Sequence, residues 1–211
     1  MKLNRPWIKV CGITCVEDLE LLISSGATAV GINLWPKSPR SVTPEMALHL
    51  TQLARGRIET VWVTVDMPVD ELKVWVQKGS PTWVQLHGEQ PPEYIEALGD
   101  RAFYAVGIQG DEHVQEAMEA SGAFVLVDAR DEVQKGGTGQ LAPLALAQQV
   151  SAARQMVLAG GLTPDNVASR IASVMPAGVD TASGVESEPG RKDPGKVRLF
   201  CEQARHAFAQ L

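Results

Sequence analysis

Cysteine is scarce in this 211-residue chain, with only Cys11, Cys15 and Cys201 present. An odd handful of thiols does not build a disulfide framework. Cys11 and Cys15 lie close together, but no second Cys or His cluster follows at zinc spacing, so no metal site is expected. Basic runs are missing too. The 19 Lys and Arg residues face 25 Asp and Glu, a formal net charge of -6, which argues against nucleic acid or an anionic membrane as a partner. No stretch approaches the roughly 18 consecutive apolar residues of a membrane span, and the start, with Lys2 and Arg5, has no apolar signal core. No low-complexity linker divides the chain. These absences predict a soluble, cytoplasmic protein with one domain over 1-211, in which any anion is held by a local site.

What is present is a rhythm: a short β-branched run, a turn, then a helical pattern. Strands are expected at Trp7 to Cys11, Ala29 to Trp35, Thr60 to Asp66, Thr82 to His87, Phe103 to Ile108, Phe124 to Asp128, Met156 to Ala159 and Gly178 to Ala182. Helices are expected between them: Glu17 to Ser25 ending at Gly26, Thr43-Pro44 through Ala54, Val69 to Gln77, one opened by Pro91-Pro92-Glu93, Glu112 to Ala120, Ala142 to Arg154, one from Thr163-Pro164-Asp165 to Val174, and Pro194 to Phe208. Eight strands alternating with eight helices make a parallel α/β sheet, and eight is the number that closes a (β/α)8 TIM barrel. An open doubly wound sheet is the rival, and it would leave two exposed edges.

Side-chain alternation sorts the faces. Ile8, Val10, Val84, Leu86, Val125, Val127 and Val179 suit the helix layer. Trp7, Lys9, Cys11, Gln85, His87, Asp128 and Asp180 then point into the barrel. Strands one and eight become neighbours on closure, which predicts a Lys9–Asp180 pair holding positive charge beneath Cys11.

The carboxyl ends of barrel strands are where chemistry is placed. Cys11 stands at one such end with Gly12 behind it, and Asp128 at another. A stiff basic loop, Trp35-Pro36-Lys37-Ser38-Pro39-Arg40-Ser41, follows strand two, and Arg40 suits a bidentate carboxylate. Two further loops, Ala159-Gly160-Gly161-Leu162 and Ala182-Ser183-Gly184-Val185-Glu186, follow strands seven and eight, the usual phosphate position of such a barrel. Lys135-Gly136-Gly137-Thr138-Gly139-Gln140 is a fourth loop suited to closing over a ligand. A thiolate and a carboxylic acid flanking a phosphate-holding cavity make a general base and general acid. Proton-transfer isomerisation of a sugar phosphate fits best.

These segments together resemble the phosphoribosylanthranilate isomerase family over nearly the whole chain. The matching stretches are Lys9-Val10-Cys11-Gly12-Ile13-Thr14, Pro36-Lys37-Ser38-Pro39-Arg40, Val84-Gln85-Leu86-His87-Gly88-Glu89, Val127-Asp128, Gly136-Gly137-Thr138-Gly139, Ala159 to Val167, Asp180 to Glu186 and Pro189-Gly190-Arg191-Lys192-Asp193. The resemblance implies an Amadori rearrangement of N-(5-phosphoribosyl)anthranilate in tryptophan biosynthesis. It implies Asp128 as acid, Cys11 as base and Arg40 on the substrate carboxylate. Gly160, Gly161, Ser183 and Gly184 would hold the phosphate. His87, Gly137 and Asp180 complete the expected binding set. No metal or organic cofactor is implied, and the assembly is expected to be a monomer or homodimer. Opposite protonation states are needed, so Cys11 is expected to titrate low and Asp128 high. The chain departs from the family at Gln140-Leu141-Ala142-Pro143, Asn33-Leu34-Trp35 and Val65-Asp66-Met67. A ribulose-phosphate 3-epimerase would want metal-binding histidines that His87 alone does not supply. A dual isomerase shared with histidine biosynthesis would carry aspartate at position 11.

Overall fold

Eight parallel strands hydrogen-bond in chain order and close on themselves, with β8 paired back to β1. The computed structural model describes residues 3–128 and 144–211. Its barrel strands are β1 (Trp7–Cys11), β2 (Ala29–Asn33), β3 (Glu59–Val65), β4 (Trp83–His87), β5 (Ala102–Gly107), β6 (Val125–Asp128), β7 (Met156–Leu158) and β8 (Gly178–Thr181). The helices between and after them are α1 (Val16–Ser25), α2 (Pro44–Ala54), α3 (Val69–Gly79), α4 (Glu93–Leu98), α5 (Asp111–Glu119), α6 (Leu144–Ala153), α7 (Val167–Val174) and α8 (Pro194–Phe208). The closed barrel thus replaces the open-sheet alternative. No helix among the described residues is long and apolar enough to cross a membrane.

Local chemistry sets several boundaries. Thr43 caps α2 by accepting from the Met46 N–H, with Pro44 fixing the first helical φ. Asp193 does the same for α8 through the Lys196 N–H, followed by Pro194. Helix α7 begins at Val167 and not at Thr163-Pro164-Asp165 as expected. The Asn166 side chain accepts from the Thr163 N–H at 2.9 Å and donates to the Gly161 carbonyl at 3.0 Å. The segment before it is therefore a side-chain-closed turn. A two-stranded hairpin, β9 (Glu186–Glu188) with β10 (Arg191–Lys192), lies between β8 and α8 and had no counterpart in the sequence pattern.

Two apolar layers result from the alternation. Ile8, Val10, Val84, Leu86, Val125, Val127 and Val179 pack outward against the helices, as expected. Inside, Trp7, Trp83, Phe103 and Phe124 fill the amino-terminal end, with ring centroids 4.4 to 6.5 Å apart and mostly edge to face. The indole N–H groups of Trp7 and Trp83 both donate to Glu59 Oε2, at 2.9 and 2.8 Å. This plug leaves the opposite end of the barrel for polar groups.

Candidate active site

Lys9 and Asp180 sit opposite each other in the β1–β8 register. Their side chains meet at 2.6 Å with Lys9 fully buried, so the pair expected from strand order is present. Asp180 has one oxygen on Lys9, and its Oδ1 has no hydrogen-bond partner among the described residues. Two residues above Lys9, Cys11 ends β1 opposite Gly31. A Cβ at position 31 would lie 2.5 Å from the Cys11 sulfur, so the glycine makes room for the thiol.

The expected low titration of Cys11 is overturned. Burial pushes its thiol up, by more than Lys9 pulls it down, and the neighbouring Asp180 carboxylate adds to the rise. Lys9 does not offset that burial in full, because it is already committed to Asp180. Burial would lower the lysine, but Asp180 and Cys11 together hold it above its ordinary value, as a cation. The sulfur meets a paired charge, whose field is far weaker than that of a free one.

Cys11 and Asp128 line one cavity of about 610 Å³ at the carboxyl-terminal end of the barrel. Arg40, His87, Gly160, Gly161, Asp180, Ser183 and Gly184 line it too, so these sequence-derived candidates converge on one place. Gly137, with the rest of the 136–139 loop and the departing segment 140–143, lies outside the described residues. Gln85, Asn33 and Asp66 also reach the cavity and had been given no binding role. Gln85 was legible as an inward residue, and its Oε1 has no partner among the described residues.

The two glycine loops are built against each other. Gly160 and Gly161 have φ of 92° and 64°, a left-handed backbone that favours glycine, and neither donates its N–H to a described acceptor. Thr181 Oγ1 donates to the Leu162 carbonyl at 2.7 Å, and a Cβ at Gly184 would lie 1.9 Å from that same oxygen. Only glycine at 184 allows the second loop to sit this close to the first. Successive N–H groups on such turns form an anion-binding concavity.

The basic loop after β2 is folded by its own polar residues. Asn33 Oδ1 accepts from the Trp35 N–H at 2.8 Å, and Ser38 Oγ accepts from the Arg40 N–H at 3.1 Å. Arg40 is thereby delivered to the hairpin, where its Nε and Nη2 fork onto Glu186 at 2.8 and 2.7 Å. Glu186 also accepts from Lys192 Nζ at 2.7 Å, and that ammonium donates onward to the Cys11 carbonyl at 2.7 Å. Burial pushes the Glu186 carboxyl up, but Arg40 and Lys192 together hold it below its ordinary value. Both Glu186 and Lys192 stood in matched motifs, but the short polar hairpin that unites them left no periodic signal.

The chain is similar to known proteins over nearly its whole length. The family model described as N-(5'-phosphoribosyl)anthranilate (PRA) isomerase matches residues 8–203. A curated relative from Pelobacter propionicus, named N-(5'-phosphoribosyl)anthranilate isomerase, is 36% identical over 203 residues, covering 96% of this chain and 97% of its own. The crystal structure of phosphoribosyl anthranilate isomerase from Thermotoga maritima superposes with a TM-score of 0.87 at 32% identity, covering 95% of this chain and 99% of that one. A further crystal structure, of a phosphoribosyl anthranilate isomerase in complex with reduced 1-(o-carboxyphenylamino)-1-deoxyribulose 5-phosphate, has a TM-score of 0.81 at 33% identity, covering 95% and 99%.

Proposed function

The chain belongs to the N-(5'-phosphoribosyl)anthranilate isomerase family, and on that premise we propose how its own residues carry the reaction. It is an isomerase of tryptophan biosynthesis that converts N-(5'-phosphoribosyl)anthranilate into 1-(2-carboxyphenylamino)-1-deoxyribulose 5-phosphate. The observation that supports the assignment of roles is that Cys11 on β1 and Asp128 on β6 line the same cavity as the two glycine loops. Asp128, protonated, donates to the ribose ring oxygen as the bond from that oxygen to C1 breaks and the anilino nitrogen, keeping its hydrogen, pushes electrons in to form a protonated imine. The Cys11 thiolate then removes the proton from C2, and those electrons move to give an enolamine. Tautomerisation of the enolamine gives the ketone.

Burial keeps the thiolate fraction of Cys11 small at neutral pH, but each thiolate formed is the stronger base. The Gly160-Gly161 and Ser183-Gly184 backbones hold the phosphate, and Arg40 holds the anthranilate carboxylate. Asp180 Oδ1, without a partner among the described residues, can accept a substrate hydroxyl, and His87 faces the same cavity from β4, across the barrel. Gly137 belongs to this set on the motif alone. One domain over 1-211 carries the whole reaction with a small phosphorylated molecule as partner. Three free thiols fit a reducing, cytoplasmic setting.

Purified protein should consume N-(5'-phosphoribosyl)anthranilate, followed by loss of its fluorescence. Cys11→Ala should lower kcat by about 10²- to 10⁴-fold, the usual weight of a general base. Wild-type turnover in that variant would remove the assignment of the base.

A further inference from the structure

The Glu186 carboxylate accepts four hydrogen bonds, from Arg40 Nε, Arg40 Nη2, Lys192 Nζ and, at 3.4 Å, the Gly190 N–H. Its geometry decides what Arg40 has left to offer. A guanidinium carries five N–H donors in one plane. Glu186 takes the side edge, one N–H each from Nε and Nη2. That leaves three donors, both hydrogens of Nη1 and the second of Nη2. One from each nitrogen makes an end-on pair that matches a second carboxylate. Nη1 has no described acceptor, and Arg40 lines the cavity. The stem is fixed as well, since a Cβ at Gly12, directly behind Cys11, would fall 2.5 Å from Arg40 Cδ.

Charge raises an objection, because an arginine neutralised by a glutamate is a poor anion receptor. Lys192 answers it. Its ammonium is buried and shares the same carboxylate, so the trio of two cations and one anion carries one surplus positive charge, although burial lowers the lysine and the Asp18 carboxyl also faces it. Lys192 also bonds the carbonyls of Cys11 and Ala182, so that charge is anchored to the ends of β1 and β8. We propose that Glu186 is a positioning residue for substrate recognition: shared between Arg40 and Lys192, it presents the end-on edge of Arg40 to the carboxylate of an aromatic amino acid moiety. This rests on the reading that Arg40 takes the anthranilate carboxylate.

The test compares two unreactive ligands by calorimetric titration. One is reduced 1-(o-carboxyphenylamino)-1-deoxyribulose 5-phosphate, and the other is its counterpart lacking only the carboxyl group. The readout is the ratio of their affinities, which a general loosening of the fold would not change. Wild-type protein should prefer the carboxylated ligand, and Arg40→Met should abolish that preference. Glu186→Gln should cut the preference by about tenfold, in keeping with loss of a charge-assisted fork, while leaving the other ligand within about twofold. In the Arg40→Met background it should change the ratio no further. An equal loss for both ligands would overturn the inference. If Arg40→Met leaves the ratio intact, the reading of Arg40 itself fails, and that result is distinct from Glu186 alone having no effect. Should Glu186→Gln not fold, Lys192→Met serves in its place. It keeps the Arg40–Glu186 fork but removes the surplus charge, so the ratio should again fall, and an unchanged ratio would overturn the sharing of Glu186.

Discussion

At the amino-terminal end of the barrel the inward residues of β1, β4, β5 and the approach to β6 are Trp7, Trp83, Phe103 and Phe124. Two positions further along they are Lys9, Gln85, Ala105 and Leu126, and two further still Cys11, His87, Gly107 and Asp128. A strand period of two therefore carries the interior from an aromatic plug, through a level with a buried ion pair, to the reactive rim. The plug has its two indole N–H groups satisfied on Glu59 and its rings in contact. Above it, the level of the ion pair retains a carboxylate oxygen on Asp180 and an amide oxygen on Gln85 without described partners. One end is closed and satisfied, and the other has polar groups left over for a ligand. Stability and chemistry are thus assigned to different heights of the same strands.

Four substitutions probe that division, in order of expected effect. Asp128→Asn at the rim should lower kcat by about 10²- to 10⁴-fold while the melting temperature stays near that of the wild type. A large drop in melting temperature would mean that the rim also carries the fold. Trp83→Ala in the plug should do the reverse. It should cost about 3–5 kcal/mol in urea unfolding, with kcat/KM of the folded fraction changed only a few-fold.

Lys9→Met lies between the two ends and should register in both assays. It leaves Asp180 buried and uncompensated, which should destabilise by about 3 kcal/mol. It should also move the Cys11 thiol still higher. Because a base must be deprotonated, the acid limb of kcat/KM should shift to higher pH, and alkylation of Cys11 in a Cys15→Ser background should shift with it. An unmoved limb would show that Lys9 serves packing alone.

The smallest effect concerns acid stability. Glu186 is held below its ordinary value in the folded state, so its contribution is present in full above the unfolded glutamate value. It is lost as the pH falls through the lower, folded one. Glu186→Gln should flatten that part of the curve of stability against pH, read by chemical denaturation between pH 5 and about pH 2. A curve of unchanged shape would place the acid sensitivity elsewhere.

Much of the lower and middle barrel could be read from the residues. Alternation assigned Trp7, Lys9 and Cys11 to the inside, and counting to eight made β1 and β8 neighbours, which is enough to find Lys9–Asp180. Capping residues placed the starts of α2 and α8. The titration of Cys11 was not legible, because it depends on how far Asp180 has already drawn on the charge of Lys9, a balance of burial and distance. Nor was the grip of Glu186 on Arg40, which brings together residues 146 positions apart through strands of three and two residues. The late start of α7 followed from Asn166 competing for backbone groups that a propensity reading gives to the helix.

The Lys9–Asp180 pair spans 171 positions of sequence. A chain emerging during synthesis makes the lysine early and its counter-charge nearly last. Until β8 exists, a sheet holding β1 would enclose a bare ammonium, so the barrel has a built-in check on its own completion. Protein truncated after Val174 should accordingly leave the β1 amides open to rapid hydrogen exchange, whereas slow exchange there would show that the first strand settles without waiting for the last.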